Sequence, residues 1–159
     1  MSIWKKLNLK MQSTILVMNA PASFEQEISN LSEVTVFRRI DQLSEISFAI
    51  SFVSKQHELY ALSKAIAAKA KGDAVIWFAY PKKTSKRFKC EFNRDSGWHV
   101  LGAAGFEGVR QVAIDEDWSA IRFRRLEYIK SMKRDPKRAI SNAGKKRVAV
   151  HSGKKGGKP

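Results

Sequence analysis

The chain holds a single cysteine, Cys90, in 159 residues. One thiol forbids an intramolecular disulfide and suits a reducing compartment, so the expected location is the cytoplasm. No apolar run approaches the ~20 residues needed to cross a bilayer, and no membrane partner is expected. The opening stretch, MSIWKKLNLKMQS, has lysines but no following apolar segment with a small-residue cleavage site, so no signal peptide is expected. The histidines are few, and His57, His99 and His151 share no ligand-like spacing with one another or with Cys90, which disfavours a zinc site. Neither a G-x-S-x-G elbow nor a P-loop occurs.

Glycine is missing where a nucleotide binder needs it most. The turn after the first strand candidate is Met18-Asn19-Ala20-Pro21-Ala22-Ser23, without a glycine to let a ligand approach the backbone. Pro21 also removes an N–H that could hold an anion. After the second strand candidate stand Arg38 and Arg39, where an acid would hold ribose hydroxyls. The usual contacts to NAD or S-adenosylmethionine are therefore absent, and no cofactor is expected.

Positive charge is abundant but unevenly placed. The net charge is +15, of which residues 130–159 carry +10, leaving +5 on residues 1–129. The body is mildly basic and the tail strongly so. In the tail, Lys145, Lys146, Arg147, Lys154 and Lys155 are candidates for nucleic-acid phosphate contact, which would be sequence-independent because no aromatics are interleaved. A solubilising, disordered tail is the competing reading.

The periodicities predict strands at 13–19, 33–38, 45–53 and 73–80, and a hairpin of strands at 108–114 and 119–127 around DEDW. A helix opens at Pro21, with Phe24, Ile28 and Leu31 on one face. The clearest helix spans 54–72, capped by Ser54 and ended by Gly72, and a weaker one falls within 93–106. The order β-α-β-β-α-β-α-β-β argues for an α/β fold: an open, Rossmann-like, mainly parallel sheet flanked by helices, with a C-terminal antiparallel hairpin. That order is similar to a minimal class I methyltransferase core. The expected organisation is an N-terminal lead (1–12), the α/β domain (13–130) and a basic, largely disordered tail (131–159).

Four segments, NAPASFEQ, WFAYPKKTSK, NRDSGWHVLGAAGFEGVR and VAIDEDWSAIRF, resemble the bacterial proteins grouped as domain of unknown function 3052. The resemblance covers most of residues 7–138. It implies a Rossmann-like fold and a bacterial cytoplasmic protein, and it implies no activity.

The candidate site follows from the sheet. Ligands of open α/β sheets bind beyond the carboxyl ends of the strands, and the apolar strand DAVIWFAY ends there in Pro81-Lys82-Lys83-Thr84-Ser85. Lys82, Lys83, Thr84 and Ser85 could hold a small anion, with Asn19 and Arg94 as further ligands. Asp115 and Trp118 could face the same ligand, although Asp115 suits a turn and Trp118 suits packing over the sheet edge. The lysines could instead be neutralised by Asp115, Glu116 or Asp117. The leading expectation is thus a non-enzymatic binding or scaffold domain with a small-anion site around residues 80–86. The alternatives are a degenerate S-adenosylmethionine-dependent methyltransferase-like enzyme, and nucleic-acid association through the tail.

Overall fold

The computed structural model describes residues 2–92 and 97–129. Six strands form one sheet: β1 (Thr14–Met18), β2 (Thr35–Phe37), β3 (Ile46–Phe52), β4 (Ala70–Pro81), β5 (Phe106–Ala113) and β6 (Trp118–Arg125). Their spatial order is β2-β1-β3-β4-β6-β5. β2, β1, β3 and β4 run parallel. β6 is antiparallel to both β4 and β5, so the last described strand is inserted between them. The order reverses at β1, which has β2 on one side and β3 on the other.

Among the described residues the α-helices are α1 (Ile3–Lys6), α2 (Glu25–Ser29), α3 (Gln56–Lys69) and α4 (His99–Ala103). β3 and β4 are buried along nearly their whole length because helices cover both faces of the sheet. On one face Leu59 and Ile66 of α3 and Leu101 of α4 meet Phe78, Trp98 and Phe123. On the other face Ile3, Trp4 and Leu7 join Phe24 and Ile28 over Phe48 and Trp77. Two indole N–H groups fasten this second layer: Trp77 Nε1 donates to the Leu7 carbonyl at 2.8 Å, and Trp4 Nε1 donates to the Glu27 carbonyl at 2.8 Å. Ile3, Trp4 and Leu7, expected to lie in a lead before the domain, are buried in its core.

Local details differ from the sequence-based expectation where side chains and backbone compete. After Pro21 the chain makes a 3-10 turn, Ala22–Phe24, before α2. The Ser54 hydroxyl does not cap α3; the Glu58 carboxylate accepts the Ser54 and Lys55 N–H groups at 3.1 and 3.2 Å. Gly72 does not end that helix either. α3 passes at Ala70 directly into β4, and Gly72 takes its left-handed conformation (φ 58°) inside the strand.

Candidate functional site

The carboxyl ends of β1, β3 and β4 lie side by side on one edge, where an open α/β sheet takes its ligands. The reversal of strand order places the topological switch point between β1 and β3, one strand away from the loop after β4 that the sequence singled out. Asn19 leaves β1 in the left-handed region (φ 56°), a conformation glycine takes more readily, and it is exposed. Beyond β3, the first turn of α3 is already supplied with carboxylates. Glu91 accepts the Gln56 N–H at 2.8 Å, and its own N–H donates to the Ser54 carbonyl at 2.9 Å. Together with Glu58 this satisfies orphan donors that would otherwise attract an anion.

The loop after β4 meets the β5–β6 hairpin tip through Asp117. The Lys82 N–H donates to the Asp117 carbonyl at 2.8 Å, and the Ser85 hydroxyl donates to Asp117 Oδ1 at 2.8 Å. Ser85 Oγ in turn accepts the Phe88 N–H at 3.1 Å, and Arg87 lies 3.9 Å from Asp117 Oδ2. Asp115 Oδ1 closes the hairpin by accepting the N–H groups of Asp117 and Trp118 at 2.8 and 2.9 Å. Trp118 packs against Phe52 and Phe88, with ring centroids at 5.2 and 5.1 Å. The two loops therefore meet as a counter-charge arrangement would require, but through Ser85, Arg87 and backbone. Among the described residues, neither Lys82 nor Lys83 has an ion-pair partner. Lys83 and Thr84 are exposed, and Lys82 is half-buried.

At the corner between β1 and β2, Arg38 makes a bidentate pair with Glu25 of α2 at 3.0 and 2.9 Å. Arg39 pairs with Asp41. The Arg38 hydrogen bond holds the Glu25 carboxyl below its ordinary range, while burial opposes it. Burial pushes the Cys90 thiol up, so it is protonated at neutral pH. His57 and His99 are exposed, and among the described residues no cluster of three metal-ligating side chains exists. Arg94 and the tail candidates Lys145, Lys146, Arg147, Lys154 and Lys155 lie outside the described residues. Sequence reasoning missed Glu91, whose partner is 35 positions away and leaves no local pattern. Glu58 was findable, as an acid in the first turn of a predicted helix.

Four parallel strands, followed by a hairpin whose last strand inserts beside the fourth, define the class: a core like that of class I S-adenosylmethionine-dependent methyltransferases. Among solved structures, the chain is similar to a SAM-dependent methyltransferase from Aquifex aeolicus, at 14% identity and a TM-score of 0.55 over 78% of this chain and 88% of that one. It is also similar to the N-methyltransferase NodS from Bradyrhizobium japonicum, at 13% identity and a TM-score of 0.50 over 77% and 92%. A putative type 11 methyltransferase from Sulfolobus solfataricus aligns at 8% identity and a TM-score of 0.50 over 84% and 83%. No protein-family model matches the chain, and no curated protein matches it. At these identities the likeness defines the fold.

It also corrects the expected ranking of functions. A non-enzymatic scaffold with a small-anion site stood first, but the three solved structures named above, which share this fold, are a methyltransferase, an N-methyltransferase and a putative methyltransferase, and that ranking does not stand. The physical reason is consistent: the Ser85 hydroxyl of the supposed anion loop is already committed to Asp117.

Proposed function

We propose that this chain is a methyltransferase-like enzyme with a degenerate cofactor corner. The observation that carries the reading is the strand order, with antiparallel β6 between β4 and β5 and the order reversing at β1. The ligand crevice on this reading lies at the ends of β1 and β3, bordered by Asn19 and Ser54, with Lys82 and Lys83 at its side. The resemblance to domain of unknown function 3052, and with it a bacterial, cytoplasmic setting, belongs to the same proposal. No described helix is long and apolar enough to cross a membrane.

The residues present do not fit S-adenosylmethionine in the manner usual for open α/β sheets. No glycine follows β1, Pro21 offers no N–H, and the end of β2 is held by the Arg38–Glu25 pair in place of a free carboxylate. We therefore derive no methyl-transfer step through that cofactor.

Calorimetric titration of the full chain with S-adenosylmethionine and S-adenosylhomocysteine tests the reading. Saturable binding that Asn19→Trp abolishes is the expected result. No heat and no thermal shift at millimolar ligand would remove the proposal.

A further inference from the structure

The face of the β5–β6 hairpin that lies with the α1 layer carries charge that the fold itself does not balance. Arg122 is flanked in the ladder by Trp77 of β4 on one side and by Arg110 of β5 on the other. Directly opposite residues on antiparallel strands point to the same face, and like charges so placed repel. A register shift between Gly108 and Arg110 sets this pairing. Arg122 Nε is buried and has no hydrogen-bond partner, which costs stability unless another group supplies one. Its neighbour Arg124 is satisfied, with bonds of 2.8 and 2.6 Å to the Asp73 carboxylate. The other acid of this face, Glu107, is fully buried opposite Arg124. Both carboxylates thus sit at the Arg124 end, while Arg110 and Arg122 have no ion-pair partner among the described residues. Burial and the charges of Arg124 and Arg110 weaken the hold of Arg122 on its proton, and the Asp73 carboxylate offsets this only in part. Farther along the face, Phe88 packs on Trp118 and carries the Arg87 guanidinium over its ring at 5.9 Å, where Arg87, unlike Arg110 and Arg122, has a carboxylate within 3.9 Å, that of Asp117.

We propose that this face, with Arg110 and Arg122 at its centre and Arg87 at its carboxyl-end margin, binds the phosphodiester backbone of a nucleic acid strand. Charge decides the occupant. Residues 130–159 carry +10 and a second copy carries +15, so neither neutralises the arginines. Beside Arg110 and Arg122 the described residues of the face offer Val112 and Ile114 as half-buried apolar side chains, with Phe88 at the Arg87 margin, too little for the apolar centre of a protein interface. Guanidinium forks match phosphate oxygens, and the net charge of the whole chain steers a polyanion towards it.

Fluorescence anisotropy of the full chain with a labelled single-stranded oligonucleotide, between about 50 and 200 mM salt, tests the assignment. Arg110→Gln/Arg122→Gln is expected to flatten the slope of log affinity against log salt by ~1.4, from the loss of two phosphate contacts at ~0.7 each. Arg110→Gln alone, at an exposed position, is expected to give about half of that change. Removing equal charge elsewhere, by Arg39→Gln/Lys71→Gln, is expected to leave the slope near that of the wild type. An unchanged slope in the first variant, an equal loss in the control, or equally good competition by polyglutamate would each overturn the proposal. The tail is present in every variant and cancels from the comparison. The enzyme reading stands or falls separately, on the calorimetric titration.

Discussion

Asp117 is 8% exposed, and its carboxylate faces Ser85 and Arg87 while its carbonyl accepts the Lys82 N–H. One side chain therefore joins the loop after β4 to the hairpin tip and fixes which neighbouring groups remain open to a ligand. The acid itself was legible in the sequence as part of DEDW. Its partners were not, because Ser85 lies 32 positions away and only the β4–β6 pairing brings the two together. Asp73 is the residue whose protonation matters most plainly for stability. Its bond to Arg124 holds its carboxyl below the ordinary range. A carboxyl with a depressed folded pKa stabilises fully above its unfolded value, about 3.9, and loses that contribution as pH falls through the folded value. Asp73→Asn is expected to lower stability at neutral pH by under about 1 kcal/mol, because the pair is partly exposed. That difference should close as the pH drops below about 4, which urea unfolding across a pH series would measure.

The strands and long helix were the most legible elements. The runs TILVM, ISFAISF and AVIWFAY have too many consecutive apolar residues for a half-exposed strand, and all three are central in the sheet. Element ends were less legible, since Ser54 and Gly72 have the chemistry of caps but neither acts as one here. Glu58 and Glu91 reach the first turn of α3 instead, and tertiary pairing draws residues 70–72 into β4. Before α4 the chain returns through Gly97 at φ 89°. A Cβ there would stand 2.9 Å from Phe92 Cβ and 2.9 Å from Gln56 Oε1, so both conformation and space require glycine. Gly97→Ala is expected to cost about 1–3 kcal/mol in chemical denaturation. The variant should also weaken the 3.1 Å hydrogen bond that Gln56 Nε2 donates to the Gly97 carbonyl.

At the scale of the molecule, the sheet has two cores, and the N-terminal helix is part of one of them. Trp4 is 6% exposed, packs edge-on against Phe24 at 5.4 Å, and holds α2 through the Glu27 carbonyl. Trp4→Ala should therefore behave as a core truncation, costing about 3–5 kcal/mol. Far-ultraviolet and near-ultraviolet circular dichroism should still report one coincident transition, as expected when the lead and the sheet unfold together. Nothing in MSIWKKLN marks this role, because a single helical turn carries too few apolar residues to set a period.

The sequence by itself determined the α/β class, the succession of strands and helices from β1 onward and the absence of the glycine-and-acid cofactor pattern, since these follow from local periodicity and residue chemistry. Tertiary structure decided the strand order, the position of the switch point between β1 and β3, and the tie between Ser85 and Asp117. It also set Arg110 against Arg122. Each of these depends on pairing between residues far apart in the chain, and a strand's apolar pattern says that it is buried without saying beside which partner.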